Sequence, residues 1–84
     1  MERKRIGKIT HFFPKISVAV VELEDSAKNG DTIEIEGHGK SFEQKIGSMQ
    51  VNHQPVESAK KGDAIGMKVA QEVKVGDVVF LKTG

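Results

Sequence analysis

Cysteine, tryptophan and tyrosine are all absent from these 84 residues. Without cysteine there is neither a disulfide scaffold nor a thiolate metal site. A cysteine-free chain also fits a reducing, cytoplasmic compartment. Long apolar runs are missing: nothing nears the ~20 residues that a membrane helix needs. The start, Met1-Glu2-Arg3-Lys4-Arg5, is charged where a secretory leader would be apolar. A large charge excess is missing too. Thirteen Lys and Arg against twelve Asp and Glu leave a net charge of +1, with an isoelectric point near 8.0. Nucleic-acid binders that ignore sequence usually carry a larger basic surplus. The length predicts a single domain, residues 1–84, that hides only about 60–65% of its unfolded surface. Its core must be small and efficiently enclosed.

What the chain does have is a recurring pair, Gly30-Asp31, Gly62-Asp63 and Gly76-Asp77, each followed by a β-prone run. Glycine adopts φ > 0 at no steric cost, and Asp bonds to nearby backbone. Each pair therefore reads as a turn that feeds a strand. Residues 5–13 form a first strand, ended by Pro14, which cannot donate to a ladder. Residues 16–23 are rich in β-branched side chains, apolar on both faces, and so central. Ile33 and Ile35 alternate with Thr32, Glu34 and Glu36, as do Ile65, Met67 and Val69 with their neighbours. Residues 42–52 form the longest extended candidate. Its apolar phase slips at Gly47-Ser48, which predicts a β-bulge. Residues 55–61 suit one helical turn, and 78–82 close the domain. The sum is an all-β chain of about six strands. Closing them into a barrel would remove the exposed edges of so small a sheet.

Few residues suggest chemistry. Gly37-His38-Gly39-Lys40-Ser41 resembles part of a phosphate-binding loop, but Glu34 stands where that motif needs its first glycine and no helix follows. A hairpin-like loop is the reading. His11, His38 and His53 lie far apart, without metal-ligand spacing. No nucleophile turn or carboxylate pair appears, so no catalysis and no cofactor are expected. Phe12, Phe13, Phe42 and Phe80 are the only aromatics. Three of them suit the core. Neighbours on a strand face opposite ways, so Phe12 or Phe13 is exposed beside Arg5, Lys8 and Lys15. A basic patch beside an exposed ring is a hint of RNA contact. The competing reading is a solvated terminus.

The order and spacing of the three Gly-Asp turns, with residues 46–69 between and around them, resemble the second domain of translational GTPases such as elongation factor Tu. The likeness runs from about Gly7 to Lys82. It is similar as well to the C-terminal module of U32 peptidase-like proteins. It implies a six-stranded closed Greek-key β-barrel. In the elongation factors this barrel helps hold the aminoacylated end of tRNA, and the resemblance places Gln50 and Asn52 where a Glu and a His flank the terminal adenosine. His53 follows them, and Ala64 replaces an Asn. The pocket's polar groups are thus altered; losing one well-placed partner typically costs about 0.5–1.5 kcal/mol. The GTPase half is missing from the sequence, so no nucleotide is expected.

Two functions follow as expectations. The first is a non-catalytic module of translation that contacts tRNA, ribosomal RNA or an RNA-modifying partner through Arg5, Lys8, His11, Lys15, Gln50, Asn52 and His53. The alternative is a protein–protein docking module for a U32 peptidase-like or other larger enzyme, without RNA.

Overall fold

The computed structural model describes residues 2–37 and 39–83, with side chains for 3–37 and 39–82. His38 lies outside the described residues, and with it the middle of the glycine-rich loop. The described residues form ten strands and no helix. In chain order they are β1 (Glu2–Phe13), β2 (Val18–Leu23), β3 (Ala27–Lys28), β4 (Thr32–Gly37), β5 (Lys40–Lys45), β6 (Met49–Val51), β7 (Gln54–Val56), β8 (Ser58–Ala59), β9 (Ala64–Lys68) and β10 (Val78–Thr83). Eight form one antiparallel sheet in the order β5-β4-β10-β1-β2-β9-β6-β7, and β3 pairs separately with β8. β2 lies between β1 and β9, the central place its apolar faces suggested.

The three Gly-Asp turns are built alike. Gly30, Gly62 and Gly76 sit at φ of 92, 93 and 98°. That is the left-handed third position of a type II turn, where a side chain would be strained. Each turn starts at a lysine. The carbonyls of Lys28, Lys60 and Lys74 accept from the amides of Asp31, Asp63 and Asp77 at 3.1, 3.0 and 3.1 Å. The same lysines' amides donate to those aspartates' carboxylates at 3.0, 3.1 and 3.0 Å. Each Gly-Asp pair then clasps one aliphatic residue from elsewhere. Gly30 donates to the Ile46 carbonyl and Asp31 accepts from the Ile46 amide; Gly62 and Asp63 do the same with Leu23, and Gly76 and Asp77 with Ile9. All three clasped residues are buried. A local sequence signal thus fixes a long-range backbone contact and plants an aliphatic side chain in the core.

That core is aliphatic. Ile6, Ile9, Val21, Ile33, Ile35, Met49, Ile65 and Val79 are almost fully buried, with Phe12, Phe42 and Leu81 packed against them. Burying one such side chain is worth roughly 1.5–3 kcal/mol. Ile6 and Ile9 are both buried although three positions apart. Strict alternation would split them across two faces. A shift of register at Arg5/Gly7 against β10 brings both inward, and a second at Ile9/His11 against β2 lets Phe12 follow Ile9 onto the core face.

Several expectations need correction. There are ten short strands where about six were read. Residues 55–61 form no helical turn; β7 and β8 occupy most of that stretch. Residues 42–52 are not one bulged strand. The chain leaves β5 so that Ile46 can reach the Gly30-Asp31 turn, and β6 begins only at Met49. Phe80 is not a core residue. It faces outward between buried Val79 and core-packed Leu81, beneath the Arg3 guanidinium, whose carbon lies 4.0 Å from the ring centre. No strand pairing joins the sheet margins β5 and β7 among the described residues, so no closed barrel appears in the ladders. A side chain does reach across. Gln44 of β5 donates to the Lys68 carbonyl at 2.9 Å and accepts from the Ala70 amide at 2.8 Å. It lands at the end of β9, which β6 leaves uncovered by pairing only with Gly66 and Met67.

Candidate functional site

Two hairpins and the strands between them build a groove on the outer face of the sheet. One wall is the turn from β1 to β2. Pro14 stops β1, and the Ile16 amide turns back to the Phe13 carbonyl at 3.3 Å. Ser17 follows at φ 55°. The turn leaves Phe13 and Ile16 49% and 61% exposed, two of the three exposed large hydrophobics of the described residues. The other wall is the hairpin of β6 and β7. Val51 pairs with Gln54, so the loop is only Asn52-His53, both at positive φ (52 and 65°). That is the geometry of a type I′ turn, whose twist matches that of the strands it joins.

The floor follows from strand register. His11 pairs with Val20, Val20 with Gly66, Gly66 with Gln50, and Gln50 with Pro55, one continuous row across five strands. A parallel row runs Phe13, Val18, Lys68. Directly paired residues share a face. Gly66 brings no side chain to the middle of its row, so the surface sinks there. The resulting depression, about 310 Å³, is lined by Phe13, Ile16, Val18, Val20, Gln50 and Asn52, with His53, Ala64 and Gly66 completing it. The His11 ring stacks beside Phe13, centroids 6.3 Å apart and planes 19° from parallel.

The sequence-predicted residues divide. Gln50, Asn52 and His53 line the groove, His11 backs one wall, and Lys15 sits in the turn that forms that wall. Lys8 lies on the row beyond, opposite Glu22. Arg5 does not join them: its guanidinium binds Glu24 at 3.0 and 3.2 Å. The other basic residues at the start of β1 are also paired. Arg3 bridges Glu34 at 2.8 Å and Glu36 at 3.0 Å, and Lys4 pairs with Asp25. Hydrogen bonds that it donates to Glu36 and Glu34 hold the Arg3 guanidinium above its ordinary pKa. The bond from Lys4, helped by the Ser26 amide, holds the Asp25 carboxyl below the usual range. The Lys82 ammonium is raised by its bond to Glu43. Of Phe12 and Phe13, one of which the sequence reads as exposed, it is Phe13 that is; Ile16, Val18 and Val20 are not read as site residues from sequence. The usable signal for Ile16 was Pro14, since a strand that stops there leaves the next apolar residue in the turn.

Elsewhere the chemistry is thin. Gly37 pairs with Lys40 and Ser41 with Glu36, so the described residues on either side of His38 belong to the antiparallel pair β4–β5. A smaller depression of about 170 Å³ beside it is lined by Ile35, Phe42, Lys40, Lys74, Glu72 and Asp77, among others. Among the described residues no three His, Asp or Glu converge as metal ligands.

No family model matches the chain. It is 46% identical over 77 residues to an uncharacterized protease of Methanocaldococcus jannaschii, which covers 90% of this chain but only 19% of that relative's length. Its fold matches the crystal structure of the C-terminal domain of a U32 peptidase-like protein from Geobacillus thermoleovorans. The TM-score is 0.89 at 17% identity, over 95% of this chain and 93% of that one. The selenomethionine variant of that domain gives 0.86 at 18% identity, over 90% and 96%. The U32 side of the resemblance read from the Gly-Asp turns is carried by these likenesses; the elongation-factor side is not. At such identities the structures share the fold alone, and that fold is all-β and antiparallel.

Proposed function

We propose that this chain is a non-catalytic docking module of a larger U32 peptidase-like protein or assembly. The carrying observation is one of proportion. A relative named as a protease aligns over nearly this whole chain, yet the aligned part is 19% of that relative. The solved domain of the same fold is likewise a C-terminal portion. A module of this size adds a surface to an enzyme whose chemistry lies elsewhere, and the outer groove is the surface suited to that role. The RNA reading draws less support, because Arg5, one of the basic residues on which it rests, is paired with Glu24.

We further infer that the sheet closes as a Greek-key barrel, with Gln44 as its seam. Its two bonds to the end of β9 replace the ladder that would otherwise join the margins. The docking reading is tested by mixing the purified chain with a U32 peptidase-like protein and measuring sedimentation velocity. A single faster boundary that persists after nuclease treatment is expected. Two independent boundaries at micromolar concentrations would end the reading.

A further inference from the structure

The outer groove is apolar at its floor and basic at its rim, and the two features together specify an occupant. We propose that it binds an extended acidic segment carrying an apolar anchor, supplied by the larger U32-type partner; the source of the segment rests on the docking reading above.

The charge argument comes from which cations are already engaged. Arg3, Arg5, Lys4 and Lys82 each hold a carboxylate. They belong to the first half of β1 and to β10. Lys15 and Lys68 flank the groove, exposed, and neither makes an ion pair among the described residues. No carboxylate lines the groove itself; Glu22 stands beside Ala64 at one end, opposite Lys8. A rim of unengaged cations draws a segment of opposite sign and rejects one of like sign. The floor argues for a peptide over a nucleic acid. Phe13, Ile16, Val18 and Val20 offer mostly aliphatic surface, which suits a Leu or Phe side chain better than a phosphate backbone.

The backbone supplies an independent observation. Among the described residues, only Ser17, Asn52 and His53 adopt positive φ without being glycine. All three stand at the groove walls. At the Gly-Asp turns, which serve the fold, the chain uses glycine at the left-handed position. Here it carries Ser, Asn and His side chains instead, Asn and His being among the residues that tolerate that conformation best. Positions 52 and 53 aim an amide and an imidazole at the groove's mouth, suited to the backbone and carboxylates of an extended segment.

The probe is a short synthetic peptide with a central Leu-Phe pair flanked by Glu, followed by amide chemical shifts of the full chain. The same core flanked by Lys, and a single-stranded oligouridine, are the comparison arms. Expected are shifts at Val18, Val20, Gly66 and Asn52, with the Glu-flanked peptide at least about tenfold tighter than the Lys-flanked one and weakened by salt. Ile16→Ser and Lys68→Glu should each weaken it by about tenfold. His53→Gly is the control against simple unfolding: it should raise the unfolding midpoint while weakening the peptide. Equal binding of both peptides, shifts confined to another face, or occupancy of the groove by oligouridine alone would overturn the proposal. The two readings fail separately. A complex with the U32-type protein that Ile16→Ser and Lys68→Glu leave unchanged sinks the groove and spares the docking. Acid-selective binding in the groove without any such complex does the reverse.

Discussion

Gly76→Ala isolates what the Gly-Asp turns contribute. A Cβ built on Gly76 meets nothing within 4 Å, and the same holds at Gly30 and Gly62. The added methyl therefore creates no clash. No hydrogen bond is lost either, because the alanine amide can still donate to the Ile9 carbonyl. What remains is the backbone, held at φ 98°. A left-handed conformation costs an L-residue about 1–2 kcal/mol. Against this, replacing Gly stiffens the unfolded chain and returns about 0.4–1 kcal/mol. The net loss is near 1 kcal/mol, equivalent to a fall of about 4–8 °C in the unfolding midpoint for a domain of this size. Gly30→Ala and Gly62→Ala should lose similar amounts, because their turns repeat the same bonds. Gly47 provides the reference. Its Cβ also meets nothing within 4 Å, but its φ is not left-handed. Gly47→Ala should be neutral or stabilising by a few tenths of a kcal/mol. With no Trp or Tyr to follow, the assay is far-ultraviolet circular dichroism during urea and thermal unfolding. If Gly76→Ala unfolds together with Gly47→Ala, the left-handed turn is not what holds these corners.

Three other perturbations probe the ion pairs and the seam. Asp25 titrates below its ordinary 3.8 in the folded state because Lys4 and the Ser26 amide bond its carboxylate. Its contribution is therefore complete above that value and disappears as pH falls through the depressed one; Asp25→Asn should unfold earlier than the parent near pH 6, the difference shrinking as pH falls below 3.8 in urea titrations. Arg3→Ala should lower the urea midpoint, part of the loss vanishing in high salt with the Glu34 and Glu36 pairs and part persisting with the Phe80 stacking; equal loss at all salt concentrations would contradict the ion-pair share. Gln44→Met should cost about 1–2 kcal/mol and speed hydrogen exchange at the Ala70 amide by at least about tenfold, whereas unchanged Ala70 protection would deny Gln44 its sealing role.

Much of this fold is legible in sequence because its strongest signals are local. A Gly followed by Asp encodes its own turn, and the strands after Gly30-Asp31, Gly62-Asp63 and Gly76-Asp77 begin within two residues of it. Pro14 ends β1 for an equally local reason. The failures are non-local. Whether residues 42–52 run as one strand depends on Ile46 bonding to Gly30 and Asp31, far back in the chain. The direction of Phe80 depends on which face Arg3 and Glu34 share across three strands. Arg5 looked available because Glu24 lies nineteen positions away. At the groove, a family resemblance marked Gln50, Asn52 and His53. The apolar floor escaped notice, since residues 16–23 read as apolar on both faces of a central strand, with neither face singled out. Register alone reveals that they share an outer face with Gly66 and Gln50.

The residues that hold the fold and those that line the groove are different in this molecule. The buried aliphatics and the three turns point inward or lie at strand corners, and none of the three clasped residues lines the groove. Phe13, Ile16 and Lys68 are exposed, and removing their side chains takes little from the core. Surface changes away from caps, cores and networks usually move stability by less than about 0.5 kcal/mol. A loss of binding at Ile16 or Lys68 therefore reports on the groove and not on the fold. The converse holds at the turns. Gly30→Ala or Gly62→Ala should lower the unfolding midpoint yet leave peptide affinity unchanged at temperatures where the chain is folded. Stability and affinity moving together across both sets of variants would mean that groove and turns form one cooperative unit, and the separation argued from burial and register would not stand.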